Sequence, residues 1–286
     1  MGKGYAKVLL NVDSKAVYAY TGTKALVPSQ RTVVFIHGAA NDHSVWALQS
    51  RYFAYHGCNV LAVDLPGHGK SAGPALPAIE DMADWAVRVL DAAGVTQATW
   101  IGHSMGSLIS LDAAARHPQR VEKLALVGCA FPMKVSDALL TTAQAQDHVA
   151  LEMINVWSHS AAGQNGGNRV PGQWIMGGSM RLLERTFQPL YNDFNACNQY
   201  AAGAAGAAKV TCPVLMISGS RDVMTPPRAA KALAEKFRDL RSVTLEGAGH
   251  DLMAEQPDAV LDALIGFVKE SPCPAESPLP PFGKGG

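Results

Sequence analysis

Two alternating runs, Tyr5 to Val12 and Lys15 to Tyr20, flank Asp13-Ser14 and predict an antiparallel hairpin closed by a two-residue turn. Beyond it the pattern changes. Short β-branched runs at Thr32 to Ile36, Val60 to Asp64, Thr99 to Ile101, Leu124 to Val127, Val214 to Ser218 and Ser242 to Leu245 are separated by helical stretches. This alternation predicts an α/β fold: a mostly parallel central sheet with helices on both faces and the hairpin at one edge.

From Ile79 to Ala93, apolar residues at Ile79, Met82, Ala83, Ala86, Val87 and Leu90 follow helical spacing, and Glu80, Asp81, Asp84, Arg88 and Asp91 fall on the opposite side. Gly94 is placed to cap this helix, because glycine enters the left-handed conformation without a Cβ penalty. Pro257 to Val268 reads as the last helix. After Phe131-Pro132 the alternation stops, and residues 133–208 carry apolar helical stretches interrupted by Gly163-Gln164-Asn165-Gly166-Gly167 and Gly177-Gly178. We read 1–132 and 209–270 as the core and 133–208 as an inserted, mainly helical cap, with an irregular excursion as the alternative. The tail 271–286 is rich in proline and glycine and is expected to be disordered.

Composition narrows the function. With 48% hydrophobic residues the chain can bury a substantial core, and with 24 basic against 24 acidic residues it has no broad field to gather nucleic acid. The oligomeric state is left open. Cys58, Cys129, Cys197, Cys212 and Cys273 contain no C-x-x-C pair, which argues against a disulfide framework and a thiolate metal site. The start shows no signal-peptide pattern, and no run reaches the roughly 18 apolar residues of a membrane span. The expectation is a cytoplasmic protein without stable membrane insertion.

Gly102-His103-Ser104-Met105-Gly106 lies between the run Thr99 to Ile101 and the helical stretch Ser107 to His117. It matches G-x-S-x-G in the strand-to-helix context that gives the motif its mechanics: a strained turn lifts the middle hydroxyl above the end of the sheet. Helix capping by Ser104 is the plainer reading, and the flanking glycines disfavour it. A serine hydroxyl is a poor nucleophile near neutral pH and needs a base, itself oriented by a third group. Asp222, in Gly219-Ser220-Arg221-Asp222, and His250, in Gly247-Ala248-Gly249-His250, each follow a predicted strand. Ligand sites in open α/β sheets lie at such strand ends. Asp251, adjacent to the histidine, is the competing acid.

These motifs, together with His37-Gly38 after a strand and Asp64-Leu65-Pro66-Gly67-His68-Gly69-Lys70-Ser71, resemble the α/β-hydrolase superfamily over about Tyr5 to Val268. The resemblance implies a serine-nucleophile, esterase- or lipase-like enzyme with Ser104 as nucleophile, His250 as base and Asp222 as the orienting acid. It also implies an oxyanion hole made by the backbone N–H groups of Met105 and Ala39, and no cofactor. The scattered histidines form no metal-binding pattern. His37, His68 and His103 are expected to order loops near the nucleophile.

The expected reaction is cleavage of a small-molecule carboxylic ester or related acyl substrate through an acyl-enzyme. Thioesters, lactones, carbon–carbon cleavage and cofactor-free perhydrolase or haloperoxidase-like chemistry use similar residues and stay open. A non-catalytic binding protein is disfavoured by three intact positions. For substrate contacts the candidates are His37 and His103 beside the nucleophile and, in the insertion, Trp157 and Trp174, with Met176, Met180, Phe187 and Leu190 as further apolar candidates. The same side chains could equally form the insertion's own core.

Overall fold

The computed structural model describes residues 7–167 and 173–269. Tyr5, Ala6, Cys273 and the expected disordered tail lie outside the described residues.

The hairpin forms as its pattern predicts. Strands β1 (Lys7–Val12) and β2 (Lys15–Tyr20) pair antiparallel, with Val12 opposite Lys15. Asp13 and Ser14 take φ of 53° and 61°. Two positive φ values in a row give the turn a twist that matches that of the strands.

Strands β3 (Thr32–Ile36), β4 (Asn59–Val63), β5 (Ala98–His103), β6 (Val121–Val127), β7 (Val214–Gly219) and β8 (Leu240–Leu245) complete an eight-stranded sheet in the order β1-β2-β4-β3-β5-β6-β7-β8. The pairs from β4 through β8 are parallel, and β2 joins β4 antiparallel. All residues of β3, β4 and β5 are buried, as parallel strands covered on both faces must be.

The two-residue period of a strand divides the core into two layers. Val34 and Ile36 join one apolar cluster with α2 (Ile79–Ala92) and α3 (Met105–Arg116), while Val33 and Phe35 join another with α1 (Ala47–Tyr55) and the helix Pro257–Lys269. In α2 the residues expected to be buried are buried, and Gly94 follows with φ 68°. Full burial of side chains such as Ile79 or Leu90 contributes roughly 1.5–3 kcal/mol each.

Between β6 and β7 the described residues form helices α4 (Asp137–Gln144), α5 (Val149–Trp157), α6 (Ala161–Gln164), α7 (Ile175–Arg185), α8 (Leu190–Gln199) and α9 (Gly203–Ala207). A third cluster, including Leu139, Leu151, Ile154, Leu183, Leu190 and Phe194, packs this segment together and takes in Ala40 from the loop after β3. The described residues continue with α10 (Pro227–Ala234), α11 (Leu252–Glu255) and α12 (Pro257–Lys269). No described helix is long and apolar enough to cross a membrane.

Candidate active site

Strand order determines where a site can form. β3 and β5 are neighbours, but β4 lies beyond β3 and β6 beyond β5, so the connections leaving β3 and β5 diverge. Such a switch point leaves a crevice beyond the carboxyl ends of the strands. His37-Gly38-Ala39 follows β3 and Ser104 follows β5, so both border this crevice.

Ser104 sits at φ 52°, ψ −119°, a conformation that costs on the order of 1–3 kcal/mol for a residue with a side chain. The neighbouring backbone must pass very close. A Cβ on Gly102 would lie 2.1 Å from the Gly106 carbonyl oxygen, and one on Gly106 would lie 2.3 Å from that of Ile36. Both glycines of the motif are therefore sterically required. Met105 opens α3, where first-turn N–H groups lack intrahelical partners.

Asp222 and His250, from the loops after β7 and β8, meet: His250 Nδ1 lies 2.8 Å from Asp222 Oδ2. Asp222 Oδ1 accepts from the N–H groups of Met224 at 2.8 Å and Thr225 at 2.7 Å, while the Thr225 hydroxyl donates to Oδ2 at 2.5 Å. Although burial alone would push the Asp222 pKa up, the His250 charge and these donors hold it well below the usual carboxylate range. Burial would lower the pKa of His250, and the charge and hydrogen bond of Asp222 outweigh that and raise it. With Nδ1–H donated to Asp222, the neutral ring presents Nε2 as an acceptor. The competing acid is turned elsewhere: Asp251 Oδ2 accepts from the Ser179 hydroxyl at 2.9 Å and lies 3.4 Å from His159 Nε2.

Ser104, His250, Ala39, Phe194 and Met224 line two small cavities. One, about 60 Å³, is bounded also by His103, Ile154 and Ser158; the other, about 180 Å³, runs between Met133, Val135, Leu139, Trp157 and Val223 and is mainly apolar. A larger cavity of about 510 Å³ touches neither Ser104 nor His250, but it shares Val45, Ser179, Leu182, Asp251 and Met253 with the smallest one. We take the two cavities at Ser104 as the candidate site because the nucleophile and base candidates open onto them.

Among the residues singled out from sequence, His103 and Trp157 line these cavities. His37 does not. It is fully buried, with Nδ1 2.8 Å from the Gly38 carbonyl and Nε2 accepting from Leu65 N–H at 3.1 Å, and burial lowers its pKa to about 4. Trp174 is 69% exposed and lines neither of the two cavities at Ser104. Leu190, Met180 and Phe187 pack in the third apolar cluster, with Leu139, Leu151 and Phe194. His103 donates from Nε2 to the His250 carbonyl at 3.0 Å, and burial lowers its pKa to about 4.

Sequence reasoning missed two buried carboxylates at this site. Glu255 accepts from the N–H groups of Gly249 at 2.9 Å and Ser160 at 3.0 Å, and from the Ser160 hydroxyl. Asp193 accepts from Ala40 N–H at 3.0 Å and from His68 Nε2 at 2.8 Å. Neither belongs to a motif, and both are held by partners distant in the chain. Asp42, His43 and Asp64 bring three metal-capable atoms within 4.8 Å of one another. Each is already engaged: Asp64 accepts from the His43 ring and from the N–H groups of His43 and Lys70, and Asp42 from Ser44 and Arg185.

The structure thus brings a strained serine after β5 to cavities shared with a histidine after β8, which pairs with a carboxylate after β7. The family model described as "alpha/beta hydrolase fold" matches residues 31–257, and the chain belongs to that family of enzymes. It is 31% identical over 230 residues to a pimeloyl-[acyl-carrier protein] methyl ester esterase of Chromobacterium violaceum, covering 76% of this chain and 86% of that protein. It is 25% identical over 250 residues to the (E)-2-((N-methylformamido)methylene)succinate hydrolase of Acinetobacter baylyi, covering 84% of this chain and 91% of the relative. The crystal structure of an enol-lactonase from Burkholderia xenovorans superposes with a TM-score of 0.80 at 22% identity, over 92% of this chain and all of that one, which shows the shared fold.

Proposed function

We propose that the chain is a serine hydrolase that cleaves a carboxylic ester of a small molecule through an acyl-enzyme. Ser104 attacks the carbonyl carbon while His250 Nε2 takes its proton; the N–H groups of Met105 and Ala39 hold the oxyanion. The protonated His250 then gives the proton to the departing alkoxide. In the second half, water attacks the acyl carbon, His250 accepts the water proton, and Ser104 leaves with it. Asp222 fixes the tautomer of His250 and stabilises its cation.

The observation that carries this reading is the 2.8 Å contact from His250 Nδ1 to Asp222 Oδ2, with Ser104 and His250 opening onto the same cavities. Esterases among the relatives support an ester as the bond cleaved. We also read residues 133–208 as a cap on a core of 1–132 and 209–270, because Met133, Leu139, Ile154, Trp157 and Phe194 supply walls around Ser104. The apolar arm of about 180 Å³, below the roughly 300–1,000 Å³ of drug-sized pockets, favours a short acyl chain. A cytoplasmic setting is supported by four free described cysteines, Cys58, Cys129, Cys197 and Cys212.

The test is hydrolysis of p-nitrophenyl esters of increasing acyl length by wild type and Ser104→Ala, with a fluorophosphonate label located by mass spectrometry. Turnover and labelling that both vanish in the variant support the reading. Turnover that survives Ser104→Ala overturns it.

A further inference from the structure

Ala40, which follows the proposed oxyanion donor Ala39, is fully buried at φ 48° although it is not glycine. Left to itself, such a residue would relax to a negative φ and redirect the loop after β3 in which Ala39 and its N–H lie. Three contacts from the insertion oppose this. Ala40 N–H donates to Asp193 Oδ2 at 3.0 Å, the Ala40 carbonyl accepts from the Thr186 hydroxyl at 2.5 Å, and the Ala40 methyl packs in the insertion's cluster with Leu183, Leu190 and Phe194.

Asp193 is itself held. It is fully buried on α8, and His68 Nε2 lies 2.8 Å from the same Oδ2. His68 Nδ1 faces the Pro66 carbonyl at 3.1 Å, so both ring nitrogens meet oxygen acceptors. A ring that donates from both nitrogens is an imidazolium. Burial acts against that charge, and the Asp193 carboxylate outweighs it and raises the His68 pKa. One carboxylate oxygen, Asp193 Oδ2, is thus shared by Ala40 N–H and His68 Nε2, which fixes the acceptor beside the turn.

We propose that Asp193, oriented by His68 and assisted by Thr186, is a positioning residue for the oxyanion hole: the insertion holds the Ala39–Ala40 turn in the geometry that binds the oxyanion. This rests on the function proposed above. The insertion then acts in the chemical step through the loop after β3, in addition to enclosing substrate. Asp193 touches no reacting atom.

The experiment measures kcat and KM for a short p-nitrophenyl ester, with kcat expressed per fluorophosphonate-labelled site, in wild type, Asp193→Ala, Asp193→Asn and Thr186→Val. Removing an oxyanion donor outright costs about 10²–10³ in rate, so misplacing one in Asp193→Ala is expected to lower kcat per site about 10- to 100-fold with KM nearly unchanged. Asp193→Asn keeps one oxygen for Ala40 and His68 and places its NH₂ where Oδ1 now has no partner, so it should recover part of that loss. Thr186→Val is expected to lower kcat about 3- to 10-fold, and it decides the matter if Asp193→Ala does not fold.

A kcat per site within about twofold of wild type in the folded variants overturns the proposal, as does a loss confined to KM or to the labelled fraction. Ser104→Ala run alongside separates the two levels. Its retained turnover would remove the serine mechanism itself, whereas its loss beside an unchanged Asp193→Ala would remove only the role given to Asp193.

Discussion

His250 donates its backbone N–H to the carbonyl of Ser158 at 2.8 Å, and Asp251 N–H donates to the same oxygen at 2.8 Å. The loop carrying the proposed base is therefore tied to the segment between α5 and α6. Glu255 strengthens the tie by accepting from Gly249 on one side and Ser160 on the other.

Breaking this clasp should be costly. Glu255→Ala would leave the Gly249 and Ser160 N–H groups and the Ser160 hydroxyl without their acceptor in a buried setting. At about 1–3 kcal/mol for each unsatisfied group, partly relieved by water, a loss of roughly 3 kcal/mol is expected. Urea unfolding followed by circular dichroism checks it; a midpoint equal to wild type would mean that other groups hold the loop.

The strain at Ser104 predicts a trade between stability and activity. Ser104→Gly removes the Cβ penalty at φ 52° and should stabilise the fold by about 1 kcal/mol while abolishing ester turnover. Ser104→Ala should abolish turnover without that gain. Thermal melts beside the ester assay compare the two.

The Asp222–His250 pair sets the pH dependence. In the proposed mechanism neutral His250 is the active form, and Asp222 outweighs burial and raises its pKa from the ordinary histidine value of 6.5. The rate should therefore fall as pH drops through an inflection above 6.5. Asp222→Asn should lower kcat about 10⁴-fold and shift the remaining inflection to lower pH. A profile of kcat/KM from about pH 5 to 9 tests both, and an unchanged Asp222→Asn rate would remove Asp222 from its role.

Trp157 and Trp174 should behave oppositely. Trp157→Ala enlarges the apolar arm beside Leu139 and is expected to shift preference toward longer acyl esters, since each methylene accommodated is worth about 1–3 kcal/mol. Trp174→Ala, at a position 69% exposed, should leave the chain-length profile unchanged. Ranking kcat/KM over a series of acyl lengths compares them.

Local sequence determined the frame. The continuous apolar runs of β3 and β4, the helical period of α2, the Asp13-Ser14 turn and the glycines around Ser104 reflect backbone sterics and local patterning, which a chain carries in order. The β8 signal was weaker: Leu240, Arg241 and Ser242 lie on an edge strand that is largely exposed, so no apolar run marks its start. Which tryptophan would reach the cavity, and that Asp193 would meet Ala40 and His68 across 153 and 125 residues, was decided by the tertiary structure. A buried carboxylate far from any motif has no local signal, because its partners are set by how the segment between β6 and β7 packs against the loops after β3 and β4 and not by neighbours in the chain.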